Sequence, residues 1–263
     1  MDALVERVPN DDNDISTCNL SENARYAREL LMRIPDSTVQ DLQAMHEAGL
    51  TREHVLSTPW VLRQVCAASS RRMVEYLRNA MGIGIADFKE VYGFTYAASG
   101  DNVAVLRYFA EDEYYGVTKK EVYAALYIAC KTGNVSVLAY LYREFDSDLR
   151  VTLRDLFASN GMYAAVVQGR LGIVEYAHDT MHMDDEGFLE GVVDGSSDDI
   201  YMNLVRTACE SGHPTMVRYL VSMSDLLPGD FRPLVEALQE SGDVGEECIG
   251  ELTDSRMTKG TAM

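Results

Sequence analysis

Residues 124–141 read Ala124-Ala125-Leu126-Tyr127-Ile128-Ala129-Cys130-Lys131-Thr132-Gly133-Asn134-Val135-Ser136-Val137-Leu138-Ala139-Tyr140-Leu141. Small and apolar residues recur at helical spacing up to Cys130. Gly133-Asn134 then stands where a helix must stop, because glycine takes the left-handed conformation that closes a last turn. Beyond it, Val137, Leu138 and Leu141 form a second apolar stripe with Tyr140 beside it. The stretch predicts a helix, a tight turn and a second helix.

Both halves recur along the chain. The second returns as Met73-Val74-Glu75-Tyr76-Leu77, Val105-Leu106-Arg107-Tyr108-Phe109, Ile173-Val174-Glu175-Tyr176-Ala177 and Met216-Val217-Arg218-Tyr219-Leu220, with a weaker copy around Leu42. The second positions of the phrase fall at 42, 74, 106, 138, 174 and 217, at intervals of 32, 32, 32, 36 and 43. Equal intervals mark a repeat, and the longer ones read as the same unit with insertions. The first half returns as Tyr96-Ala97-Ala98-Ser99-Gly100-Asp101-Asn102, with Asp101 in the glycine slot. It returns again as Met162-Tyr163-Ala164-Ala165-Val166-Val167-Gln168-Gly169 and as Asn203-Leu204-Val205-Arg206-Thr207-Ala208-Cys209-Glu210-Ser211-Gly212-His213. Ala and Cys let first helices stack closely, while Val, Leu and Tyr fill the second-helix seam.

A small-residue helix, Gly-Asn or Gly-His, and a Val/Leu-rich helix at a period near 33 together resemble the ankyrin repeat. The Thr-Pro-Leu-His signature of that family is absent, with Ala124-Ala125-Leu126-Tyr127 in its place. The Gly-Ala-Asp-Val-Asn hairpin tip is absent too. Gly49-Leu50-Thr51-Arg52-Glu53-His54-Val55 and Gly116-Val117-Thr118-Lys119-Lys120-Glu121-Val122 stand there instead. Thr118 with Glu121 fits a capping box, which starts a helix. The expected architecture is an all-α, ankyrin-like helix-turn-helix repeat solenoid with few or no β-hairpin fingers. Residues 1–22 are expected as a flexible acidic tail, 23–252 as the repeat domain with five clear units and degenerate end units, and 253–263 as a C-terminal tail. The last unit, from Pro233 to Val244 and the acidic helix after it, has the polar character of a cap.

Lys and Arg number 23 against 42 Asp and Glu, a net charge of −19. So negative a surface repels phosphates and argues against direct nucleic-acid or anionic-membrane binding, and it favours basic partner proteins. Cys18, Cys66, Cys130, Cys209 and Cys248 are odd in number, widely spaced and free of CxxC pairs, a reduced intracellular pattern. The N-terminus carries no basic and apolar leader, and no run approaches a membrane span. A cytoplasmic or nuclear monomer is expected.

Few residues invite chemistry. Cys66, Cys130 and Cys209 each precede the turn by three positions, in the slot of Ala98 and Val166, and read as packing residues. His178 and His182, with Asp184-Asp185-Glu186 after them, are the one pair with metal-ligand spacing; an exposed acidic loop explains them equally well. His213 reads as a turn residue. Gly82-Ile83-Gly84 lacks the third glycine and the flanking strand of a dinucleotide site. Tyr76, Tyr108, Tyr140, Tyr176 and Tyr219 form a register-matched row whose rings are expected in the seam. Asp11-Asp12-Asn13-Asp14, Glu111-Asp112-Glu113 and Asp184-Asp185-Glu186 read as solvated acidic runs, and as places where a basic partner would dock. No catalytic set, metal or cofactor is expected.

In ankyrin-like proteins the two residues before the inter-helix turn face the concave side. The resemblance therefore implies a protein-binding face at Ala67 and Ala68, Ser99 and Gly100, Lys131 and Thr132, Val167 and Gln168, and Glu210 and Ser211. The function implied is non-enzymatic, an adaptor or inhibitor that grips one cellular or host protein. Degenerate ankyrin-like proteins of large DNA viruses and microbial eukaryotes resemble this chain most in style. The alternatives are an acidic nucleic-acid mimic or chaperone of basic proteins, and a metal-dependent enzyme built on His178 and His182.

Overall fold

The computed structural model describes residues 29–34, 37–145, 155–156, 160–181, 197–223, 230–241 and 246–253. Among them every regular element is a helix, so the chain is all-α, as expected. The tails expected at 1–22 and 253–263 lie outside the described residues, apart from Thr253. Two compact units divide after Ala125, within the helix Lys119–Thr132.

The first unit holds the helix Val39–Glu47 and two helix pairs, Pro59–Ala68 with Arg71–Asn79 and Gly93–Ser99 with Val103–Glu111. Second helices pack on second helices: Val39–Glu47 meets Arg71–Asn79, which meets Val103–Glu111. The first helix Pro59–Ala68 packs on Gly93–Ser99. The connectors are short helices, Arg52–Leu56 and Ile85–Glu90. Thr51 starts the first of them by accepting the His54 N–H at 3.4 Å. Gly84 starts the second by donating its N–H to Asp87 Oδ2 at 2.7 Å, so the Gly82-Ile83-Gly84 run belongs to a turn and a cap. Thr118 and Glu121 form the expected capping box, with Thr118 Oγ1 donating to Glu121 Oε2 at 2.7 Å and accepting the Glu121 N–H at 3.3 Å.

In the second unit the helix Val135–Glu144 packs on Leu171–Met181, the second helix of the pair it forms with Gly161–Val167. The first helix Gly161–Val167 packs on Ser197–Glu210, which pairs with Pro214–Met223. Arg232–Ser241 and Glu246–Thr253 end the described chain, and Glu246–Thr253 covers Pro214–Met223.

Four turns share one geometry, fixed by hydrogen bonds rather than by residue identity. Asp101, Gly133, Gly169 and Gly212 all have positive φ, at 56°, 87°, 64° and 73°. The N–H of the next residue reaches five back in each: Asn102 to Ala97 O, Asn134 to Ala129 O, Arg170 to Ala165 O and His213 to Ala208 O, at 2.8–3.0 Å. This is the Schellman closure, which satisfies carbonyls that a helix end otherwise leaves bare. The turn tolerates Asp101, whose left-handed backbone costs about 1 kcal/mol relative to glycine.

The recurring phrase maps onto burial. Its first, second and fifth residues are fully or almost fully buried in every clear copy: Met73, Val74 and Leu77; Val105, Leu106 and Phe109; Val137, Leu138 and Leu141; Ile173, Val174 and Ala177; Met216, Val217 and Leu220. Each large side chain so buried contributes about 1.5–3 kcal/mol. In the first helices Cys66, Ala98, Cys130, Val166 and Cys209 all have zero exposure. The small-residue slot is a packing slot.

Candidate functional site

The pair-to-pair contacts set where the proposed binding residues stand. Asn102 accepts the Val105 N–H on its side-chain oxygen at 3.3 Å, capping its own helix. Its Nδ2 donates to Cys66 O at 2.9 Å and Ser69 O at 2.6 Å in the preceding pair. In the second unit Arg170 Nε donates to Lys131 O at 3.2 Å, and His213 Nε2 bonds Val167 O at 2.9 Å. A carbonyl only accepts, so His213 carries its proton on Nε2. Gly133 and Gly169 make room for these reaching side chains, since an added Cβ would lie 3.0 Å from Arg170 Cδ and 2.9 Å from the His213 ring. Three unlike side chains therefore do one job, tying the end of one first helix to the turn of the next pair. His213 acts as a turn residue, as expected. His213→Ala should lower stability by about 1 kcal/mol, read from the denaturant midpoint, with Gly169 left free of its ring contact.

The residues expected to bind protein fall on the exposed ends of the first helices. Ala68, Gly100, Lys131, Thr132, Val167, Gln168 and Glu210 are exposed, and Ala67, Ser99 and Ser211 are half-buried. Several are also bound locally: Ser99 Oγ donates to Tyr96 O at 2.7 Å, and Thr132 Oγ1 donates to Ile128 O at 2.8 Å. Gly100 differs from the rest. A Cβ there would lie 2.0 Å from Ala67 O, so its backbone is seated directly on the end of the preceding first helix.

Each unit carries an open cleft at these ends. In the second unit Lys131, Val167 and Gln168 line one of about 250 Å³ with Tyr127, Asn160, Tyr163 and Ala164. Val167 is 43% exposed, an uncovered apolar side chain on that wall. In the first unit Ala68 lines a larger cleft of about 760 Å³ with Ser37, Thr38, Val39, Gln40, Ser69, Ser70 and Arg72. The structure thus brings Lys131, Val167 and Gln168 together, while Glu210 and Ser211 line neither cleft.

Sequence reasoning missed two positions that set the spacing of the first helices. At Gly93 an added Cβ would meet Phe88 O at 2.9 Å and Cys66 Sγ at 3.2 Å. At Gly161 it would meet Leu156 Cδ1 at 2.9 Å and Cys130 Sγ at 3.1 Å. Each cysteine is packed against the glycine that opens the next first helix. Their shared signal was a glycine five residues after a large apolar residue of the connector.

The tyrosine row lies in the second-helix seam. Tyr140 is buried, and Tyr76, Tyr108, Tyr176 and Tyr219 are half-buried. A polar residue of the preceding second helix meets the ring. His46 Nδ1 lies 3.3 Å from Tyr76 Oη, Arg78 Nη1 donates to Tyr108 Oη at 2.6 Å, and the His178 ring stands edge-on to Tyr219 at 6.3 Å. Burial first, then the carboxylates of Asp179 and Glu175, push the Tyr219 phenol up to about 12. It stays protonated at neutral pH.

The residues with chemical potential are otherwise engaged. Glu111 pairs with Arg71 at 3.5 Å. Asp112 pairs with Arg78 at 2.7 Å and accepts the N–H groups of Tyr114 and Tyr115 at 3.0 and 3.2 Å. Of the run Glu111-Asp112-Glu113, then, the middle residue organises a turn. His178 Nδ1 lies 2.9 Å from Asp179 Oδ1, while His182, Asp11–Asp14 and Asp184–Glu186 lie outside the described residues. Among the described residues no group of three His, Cys, Asp or Glu is placed to hold a metal ion, and no helix is long and apolar enough to cross a membrane.

Burial raises the Cys66 and Cys130 thiols far above their usual range, pushes Cys209 up to about 12 and raises Cys248 as well. The Cys248 thiol adjoins that of Cys209, a proximity that their sequence separation conceals. Only thiolates react readily, so these four cysteines should resist alkylation in the native protein and label at once in denaturant. Mass spectrometry of the alkylated peptides checks this, and native labelling of any of the four would contradict it.

No family model, no curated protein and no solved structure matches this chain.

Proposed function

We propose that the chain is a divergent ankyrin-like array of helix pairs and acts as a non-enzymatic module that binds another protein through the ends of its first helices. These ends form the side that is concave in ankyrin-like proteins. One observation carries the reading. In the two positions just before the four turns of shared geometry, the exposed residues change from pair to pair: Gly100, Lys131 with Thr132, Val167 with Gln168, and Glu210. A fixed frame with a variable surface is the physical basis of recognition by stacked helix pairs. The module works as an adaptor or inhibitor, in the cytoplasm or nucleus, as a monomer without a cofactor.

The net charge of −19 favours a second reading, a mimic of nucleic acid or a chaperone of basic proteins. One experiment separates the two. The protein is used as bait in a cell lysate, at low and high salt, beside a variant carrying Lys131→Glu and Glu210→Lys. Recognition predicts a dominant partner that survives salt and is lost with the variant. Retention of basic proteins only, removed by salt and indifferent to the variant, would establish the charge-based reading instead, because screening weakens exposed charge pairs first.

A further inference from the structure

The second-unit cleft carries information about the partner's chemistry. Asp and Glu make up 42 of the 263 residues and outnumber Lys and Arg almost two to one, yet among the described residues no Asp or Glu lines this cleft. Its one charge is the exposed Lys131 ammonium, which forms no ion pair among the described residues. Arg170, held by its Nε on Lys131 O at 3.2 Å, brings a second cation to the end of the same helix. The amides of Asn160 and Gln168 and the hydroxyl of Tyr127 add hydrogen-bond donors to the lining. Val167, 43% exposed, adds an apolar wall. Among the described residues the cleft presents donors, a cation and one uncovered apolar side chain, and no carboxylate.

We infer that the cleft receives an acidic segment of the partner, with a carboxylate on Lys131 and an apolar side chain against Val167. The inference rests on the recognition reading and narrows it. Charge complementarity selects this occupant. A carboxylate gains the ammonium and the amide donors, whereas a lysine or arginine would meet Lys131 as a like charge with no acid among the described lining residues to offset it. The apolar neighbour is needed because an exposed ion pair alone contributes little, and covering Val167 supplies the area-dependent part of the affinity. The acidic surplus of the rest of the chain then acts at long range as a filter. It slows highly acidic proteins and admits those whose acidic segment is short and flanked by apolar residues.

The test uses the full chain and a phage-displayed library of random twelve-residue peptides. Selected sequences are synthesised with a fluorophore and titrated against the wild type, Lys131→Glu, Lys131→Arg and Val167→Ser. All three changes are at exposed side chains, and circular dichroism verifies that each variant is folded. The expected result is enrichment of Asp or Glu within two residues of an aliphatic or aromatic one. Binding should be about tenfold weaker for Lys131→Glu, weakened for Val167→Ser and nearly intact for Lys131→Arg. Selection of basic peptides that still depend on Val167 would overturn the acidic occupant and leave the recognition face standing. Peptides indifferent to both Lys131 and Val167, or no selected peptide at all, would remove the cleft from that face. Self-association of the wild type that disappears in Lys131→Glu would assign the cleft to a second copy and also overturn the inference.

Discussion

Phe109→Ala is expected to lower the unfolding free energy by about 4 kcal/mol, the size typical of truncating a fully buried aromatic residue. Phe109 has zero exposure, stacks on Tyr115 with ring centroids 4.7 Å apart and lies 5.6 Å from Phe88. It also touches the space that Gly93 leaves open. One ring thus joins a second helix, a connector and the start of a first helix. Tyr115 cannot move to fill the cavity, because its hydroxyl accepts the Phe94 N–H at 3.0 Å and its carbonyl accepts from Lys89 Nζ. Domains of ordinary stability have only about 5–15 kcal/mol in total, so the first unit should lose much of its margin. Guanidinium unfolding followed by far-ultraviolet circular dichroism checks it. A change below about 1 kcal/mol would mean that the ring is not the keystone of this unit.

Gly100→Ala should cost about 3 kcal/mol, the upper part of the usual range for overpacking. The sign is informative. At an ordinary helical φ, replacing glycine by alanine gains a few tenths of a kcal/mol to about 1, through the unfolded chain. Gly100 has a negative φ, −95°, that alanine also adopts. The loss comes from its neighbour: an added Cβ would lie 2.0 Å from Ala67 O and 2.7 Å from Ala67 Cα, backbone atoms that cannot rotate away. The two first helices would have to part. Gly212→Ala is the control, with φ of 73° and no atom within 4 Å of an added Cβ. It should cost about 1 kcal/mol, the left-handed penalty alone. Equal effects at the two positions would contradict close first-helix stacking.

These two positions also show where the sequence was readable. The pair boundaries were legible because they follow from periodicity and from turn chemistry, both local. Even Asp101 was placed in the glycine slot by register alone, and its φ of 56° agrees. The packing slot of Cys66, Cys130 and Cys209 was legible for the same reason. Gly93, Gly100 and Gly161 were not. Their roles depend on Cys66 Sγ, the Ala67 backbone and Cys130 Sγ, atoms that a neighbouring pair brings opposite. Gly100 belongs to the expected binding face, where it offers backbone only.

The ties between pairs were hidden differently. Asn102, Arg170 and His213 perform one task with three chemistries, so no motif announces it. The second-unit cleft needs residues from two successive pairs, Tyr127 and Lys131 from one and Asn160 to Gln168 from the next. That no described carboxylate lines it emerges only when both are in place. Composition alone points to a basic partner, because net charge averages over the whole chain.

Amide hydrogen exchange of the chain, alone and with its captured partner, tests recognition by the first-helix ends most directly. Recognition there predicts slowed exchange at residues 130–134 and 167–170, and at the ends of the other first helices that the partner reaches. The second helices, such as Val103–Glu111 and Leu171–Met181, should be unchanged. Protection confined to the second helices or to the acidic run Glu111-Asp112-Glu113, with the first-helix ends exchanging as in the free protein, would contradict it.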